Sequence, residues 1–182
     1  MNALIIDATD TKLAVVVLSS DRIFSHVDDE SSRRHTSTIM PTISQLLKEA
    51  QITVDDLDVI ASVVGPGSFT GIRIGVATAN ALASVGSKRV EMTSLEIELI
   101  DTTSGVALLN SKLNHFYGAR KQDSSIEYFE INRSDLDRFE NARYKTAFNL
   151  EKTITTFYQK YNNKIFVPQI IPFYVGKSSA DK

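Results

Sequence analysis

The chain has 182 residues and no cysteine, and its 20 basic and 22 acidic side chains leave a formal charge of −2. That length suits one compact domain or two small lobes, and the lack of cysteine excludes disulfides, thiolate metal sites and a cysteine nucleophile. With both signs interleaved along the chain there is no global attraction for phosphate backbones, so any contact with nucleic acid is expected through a partner.

Residues Ala3 to Asp7 and Leu13 to Leu18 are β-branched runs separated by the polar turn Thr9-Asp10-Thr11-Lys12, and Arg22 to Val27 alternates, which predicts an antiparallel meander. From Thr38 to Ala50, Ile39, Ile43, Leu46, Leu47 and Ala50 recur at helical spacing, with Thr38 as N-cap and Pro41 in the first turn. Asp58 to Val64 is a continuous apolar run, expected as a buried strand entering the loop Gly65-Pro66-Gly67. A helix rich in small residues is expected from Thr70 to Val85 with Gly86 as its stop, then a strand from Lys88 to Thr93 and a short helix from Leu95 to Asp101.

The pattern restarts after Gly105: Val106 to Asn110 is apolar, His115 to Arg120 and Ile126 to Ile131 alternate, and Leu150 to Tyr161 is amphipathic. Ile165 to Val175 is expected to be extended, with Pro168 and Pro172 allowing at best an edge strand before a tail at Lys177 to Lys182. The fold class is therefore α/β or α+β, with mixed sheets flanked by helices in two lobes. The expected division is 1–103 for the first lobe and 104–182 for a smaller second one, whose last segment packs back on the first. No apolar stretch approaches the ~20 residues of a bilayer span, and the opening residues lack the basic region of a signal peptide, so the expected location is the cytoplasm, away from membranes.

The segment Gly65-Pro-Gly-Ser-Phe-Thr-Gly-Ile-Arg-Ile-Gly75 is a glycine-rich passage from strand into helix, a type that can cradle phosphate. It has no Gly-Lys-Ser/Thr ending, and Thr70 stands where a dinucleotide loop places its third glycine. The other reading starts from Gly71, Gly75, Ala79 and Ala83, four residues apart on one helix face. Such a stripe admits close packing, either of a partner helix or of the chain's own sheet. His26, His35 and His115 form no ligand-spaced pair, and His35 is expected to serve capping or to be solvated. Asp7 is expected to hold the Thr9–Thr11 turn rather than a metal–phosphate group, and Asn110 offers an amide at the corresponding strand end of the second lobe.

The Gly65–Gly75 segment resembles the hallmark of the bacterial TsaB family, also called YeaZ. The resemblance extends to Leu4-Ile-Ile-Asp-Ala-Thr9, His35-Thr36 with Met40-Pro41 and Leu46-Leu47, Leu57-Asp58, Ala107-Leu-Leu-Asn-Ser111, Phe116-Tyr117-Gly118 and Pro172-Phe-Tyr174. It departs in a shortened second lobe, in Asn110 where aspartate is common, and in Val175-Gly176 after the last tyrosine.

The resemblance implies an actin-like, ribonuclease H-like (ASKHA) two-lobed fold without a working nucleotide site, and hence no catalytic residue, cofactor or metal. It implies a scaffold that binds the catalytic paralogue TsaD, with the ATPase TsaE, in threonylcarbamoyl transfer to adenosine 37 of ANN-decoding tRNAs, tRNA being met only within the complex. The contact it implies lies on the first two helices, with Met40, Ile43, Leu47, Gly71, Ile74, Gly75, Thr78 and Leu82 as candidates, and the chain alone pairing with itself there. Gly75→Leu is then expected to overpack the contact and leave the monomer folded. The alternatives are an actin-like phosphotransferase or peptidase-type enzyme, and a homodimeric module with another client.

Overall fold

The opening meander forms as the alternation predicts: β1 (Ala3–Asp7), β2 (Leu13–Ser19) and β3 (Arg22–Asp28) pair antiparallel in sequence. A computed structural model of the chain describes residues 1–28, 35–83, 86–111 and 114–176. After the helix α1 (His35–Ala50), β4 (Val59–Val63) adds parallel to β1, α2 (Phe69–Leu82) follows, and β5 (Lys88–Met92) adds parallel to β4. The sheet order is β3-β2-β1-β4-β5, the ribonuclease H-like order expected for an actin-like lobe.

β1 and β4 are buried on both faces, which is why they read as unbroken apolar runs rather than alternating ones. Leu4, Ile6, Val15, Val17 and Ile60 point to one face, where Ile39, Ile43, Leu46 and Leu47 of α1 and Ile72, Val76 and Ala79 of α2 cover them. Ala3, Ile5, Val16, Val59, Ala61 and Val63 point to the other.

After α3 (Ser94–Glu98), the second sheet is built from β6 (Ser104–Asn110), β7 (His115–Gln122), β8 (Ser125–Asn132) and the two-residue β9 (Arg143–Tyr144), in the order β8-β7-β6-β9. Its β6-β7-β8 portion repeats the antiparallel opening of the first lobe, and β9 lies parallel to β6. The chain is thus an α/β protein of two mixed sheets flanked by helices, with the second reduced.

Three expectations need correction. The helix α4 (Leu150–Asn162) lies on the first sheet and not on the second: Phe157, fully buried, packs with Ile5, Val16 and Val63, and Ile154 and Tyr161 lie beside it. The physical reason is area, because the first sheet's second face is a wide apolar surface that α1 and α2 cannot reach. The first helix starts at His35 rather than Thr38, so Pro41 falls inside it and not in its first turn. The closing segment forms no strand, yet it is tied to the first lobe: Val167 N–H donates to the Arg89 carbonyl at 3.0 Å, Phe173 N–H to that of Val64 at 2.8 Å, and Asn80 exchanges bonds with Ile170 at 2.8 and 3.0 Å. Val85 and Lys177 to Lys182 lie outside the described residues.

Candidate partner surface and interlobe cleft

The Gly65–Ser68 loop leaves β4 and is stitched down at both ends before α2 begins. Ser68 N–H donates to the Thr9 carbonyl at 2.6 Å, and a Cβ on Gly67 would collide with that same oxygen. On the other side, Ser94 N–H donates to the Gly65 carbonyl at 2.9 Å and Ser94 Oγ to that of Pro66 at 2.7 Å. Asp7, buried, accepts from Thr9 N–H at 2.9 Å and Thr9 Oγ1 at 2.6 Å, so its carboxylate holds the turn as expected. The Ser68 side chain caps α2 by accepting from Gly71 N–H at 3.3 Å. Backbone donors that could have met a phosphate at Thr9 and Ser68 are therefore engaged within the protein.

Between the lobes lies a cleft of about 680 Å³, with Thr9, Ser68, Phe69, Asn110, Lys145 and Tyr174 among its lining residues. Lys145 is buried and its Nζ donates to the Ala147 carbonyl at 3.1 Å. At the mouth, the Arg73 guanidinium sits 3.8 Å from the centre of the Phe69 ring and donates to the Tyr174 hydroxyl at 3.4 Å, a cation–π stack on an exposed surface. Sequence reasoning missed both Lys145 and this cluster. Phe69 and Arg73 are one helical turn apart on α2, but Tyr174, which completes the cluster, comes from the far end of the chain, and Lys145 reaches the cleft only through the folding of the second lobe.

The glycine and alanine stripe of α2 faces the chain's own sheet. Ala79 and Ala83 are fully buried, a Cβ on Gly71 would overlap the Ala8 carbonyl oxygen, and one on Gly75 would touch Ala8, Ile6 and Ser62 at 3.4 to 3.5 Å. Ile43 and Leu47 are core residues of α1. Gly71, Gly75, Ile43 and Leu47, expected at a partner contact, lie buried among the chain's own core residues. Gly75→Leu would overpack the sheet rather than a partner. Of the eight candidates, Met40 is 44% exposed, and Ile74, Thr78 and Leu82 are partly exposed, with the exposed Ala77 between them on α2.

His35 is likewise not solvated. It is buried with Nε2 3.1 Å from the Asp10 carbonyl, which as an acceptor fixes the proton on Nε2. Its Nδ1 has no hydrogen-bond partner among the described residues, and the ring fills the space beside Gly71. Among the described residues, no three His, Cys, Asp or Glu side chains gather as a metal site.

α3 and α4 are joined by Glu96 to Lys160 at 3.0 Å and Glu98 to Lys152 at 3.1 Å, all largely sequestered. Burial raises the Glu96 carboxyl above its ordinary value, with Lys160 opposing that rise. Burial also pushes Asp101 upward, but hydrogen bonding and charge from Arg143 and the charge of Lys152 outweigh it and hold the group low. Tyr128, raised by burial and the nearby Glu96, hydrogen-bonds the Thr93 hydroxyl at 2.7 Å.

Comparison with known proteins places these features in a lineage. A family model described as TsaD, tRNA N6-adenosine threonylcarbamoyltransferase, matches residues 25–97. A Haemophilus influenzae protein named tRNA threonylcarbamoyladenosine biosynthesis protein TsaB is 29% identical over 138 residues, which is 72% of this chain and 56% of that protein. The Bacillus subtilis protein of the same name is 31% identical over 118 residues, 65% of this chain and 47% of that one. The chain thus spans about half the length of the curated relatives it matches. Among solved structures, a Pseudomonas aeruginosa protein described as similar to the peptidase YEAZ superposes with a TM-score of 0.79 at 18% identity, covering 96% of this chain and 99% of that chain. A structure described as YeaZ from Pseudomonas aeruginosa superposes at 0.76 with the same identity and coverage. At that identity the two structures speak for the fold alone.

Proposed function

Because the chain belongs to the TsaB (YeaZ) family, we propose that it is a non-catalytic scaffold that docks the catalytic paralogue TsaD, joined by the ATPase TsaE, in threonylcarbamoyl transfer to adenosine 37 of ANN-decoding tRNAs. The observation that carries this reading is the outer side of α1 and α2, where Met40, Ile74, Ala77, Thr78 and Leu82 reach the surface above a helix pair anchored to the sheet. Small and apolar side chains on two rigid helices suit close packing of another helix pair. The match of residues 25–97 to the TsaD model supports a pseudo-twofold pairing, since related lobes can present related faces to each other. tRNA is then met only through the assembled complex.

Reconstituting the modification reaction with and without the chain tests the role, and Met40→Glu together with Thr78→Arg tests the surface. The double variant is expected to keep its circular dichroism spectrum and lose co-elution with TsaD, while unchanged co-elution would reject this face. A phosphotransferase reading rests on the interlobe cleft and predicts Mg–ATP binding by the isolated chain in isothermal titration. The engagement of the Thr9 and Ser68 backbone within the protein favours the scaffold.

A further inference from the structure

The two edges of the first sheet are treated differently. At β5 the closing segment lies alongside and bonds the Arg89 carbonyl. At β3, nothing among the described residues adds to the sheet beyond its last strand. Over its seven residues, Arg-Ile-Phe-Ser-His-Val-Asp, β3 has no proline, glycine or lysine, and its two charged residues, Arg22 and Asp28, stand only at its ends. Ile23 is 54% exposed and Val27 37%.

The direction of the unpaired backbone groups follows from the turn before the strand. Ser20 and Asp21 form a two-residue hairpin loop with φ of 48° and 65°, between partners Ser19 and Arg22. Such a loop makes the flanking pair a hydrogen-bonded one, and the alternation of antiparallel ladders then commits Arg22, Phe24, His26 and Asp28 to β2. The N–H and C=O groups of Ile23, Ser25 and Val27 point away from the sheet.

We propose that this edge is a self-pairing surface, on which β3 of a second copy of the chain lies antiparallel and joins two five-stranded sheets into one. The strand is complementary to its own reverse about Ser25. In that register Ser25 faces Ser25 across the twofold axis, and Ile23 faces Val27, so the residues with outward backbone groups meet one another and exchange both bonds. Phe24 faces His26, and Arg22 faces Asp28, placing opposite charges together at each end. A one-residue slip would set outward groups against groups already used and part the charges. A twofold axis needs a self-complementary surface, and this strand has one in backbone, apolar content and charge. The edge strand of the other sheet, β8, makes a useful contrast: it carries Glu127 and Glu130 and no basic residue, so its self-pairing has no such balance.

The site is separate from the α1–α2 face, so its failure and that of the scaffold reading are distinguishable. Sedimentation velocity on the full chain over a dilution series up to about 0.1 mM tests it. The wild type is expected to dimerise. Ser25→Pro removes an outward N–H without touching the bonds to β2, and is expected to weaken dimerisation at least tenfold with the fold retained by circular dichroism. Arg22→Asp and Asp28→Arg are each expected to weaken it, and the double exchange to restore it, which a merely destabilised strand would not do. A monomeric wild type across the series would overturn the proposal. So would a dimer indifferent to both Ser25→Pro and the charge exchange, or one abolished by Met40→Glu with the β3 variants unchanged.

Discussion

The first sheet is packed on both faces and the second closely on one. Around β1 and β4 the helices α1 and α2 cover one side and α4 the other, leaving nearly every side chain of those strands out of water. The second sheet packs Ala107, Ala119, Leu109 and Tyr117 against Leu95 and Leu99. Its other face buries Leu108 and Phe116, the latter edge-on to Tyr144, and carries the stacked pair Phe129 and Phe139, both half-buried. The same antiparallel opening thus supports a thick core in one lobe and a thin one in the other, so the depth of each core follows the helices available to its sheet rather than the strands.

Substitutions can sharpen that contrast. Phe157→Ala removes the aromatic ring that fills the second face of the first sheet, and is expected to cost about 3–5 kcal/mol in urea unfolding. Ile126→Ala, at a half-buried position of the second sheet, is expected to cost about 1 kcal/mol. Equal losses at the two sites would mean that the lobes share one core.

The next contrast lies within α2. Gly71→Ala drives a methyl group into the Ala8 carbonyl and is expected to cost about 1–3 kcal/mol. Gly75→Ala, one turn later, meets only ordinary contacts, and is expected to be neutral or to stabilise by up to about 1 kcal/mol through helix propensity. Thermal unfolding of the two variants side by side reads the difference, and a destabilised Gly75→Ala would refute the tight seam drawn here for Gly71 alone.

The smallest effect is a slope. Because burial raises the Glu96 carboxyl in the folded chain, its contribution is fully present below the ordinary glutamate value and is lost as pH rises through the raised one. Glu96→Gln removes that loss, so its melting temperature is expected to gain on that of the wild type between about pH 4 and pH 7. A gain in the opposite direction would mean that Lys160 outweighs burial.

The strands were legible because apolar runs and alternation report burial directly: Ala3 to Asp7, Arg22 to Val27 and Ile126 to Ile131 appear within a residue or two of their expected bounds. The amphipathicity of Leu150 to Tyr161 announced a helix but could not say which sheet it covers, since one apolar stripe fits any apolar face. The Gly71–Ala83 stripe was ambiguous for the same reason. Its spacing predicts close approach, while the identity of what approaches is set by Ala8 and Ile6, more than sixty residues away. His35 misled because its polar neighbours in sequence are not its neighbours in space, which include Asp10 and Gly71.

The placement of α4 also governs the order in which the molecule can be finished during synthesis. Strands β1, β4 and β5 leave the ribosome early, but the face formed by Ile5, Val16 and Val63 stays wet until Phe157 emerges, about a hundred residues after β4 begins. The nascent chain therefore carries an oily, half-covered sheet until α4 arrives, so a pause shortly before residue 150 would leave it vulnerable to aggregation and to capture by chaperones.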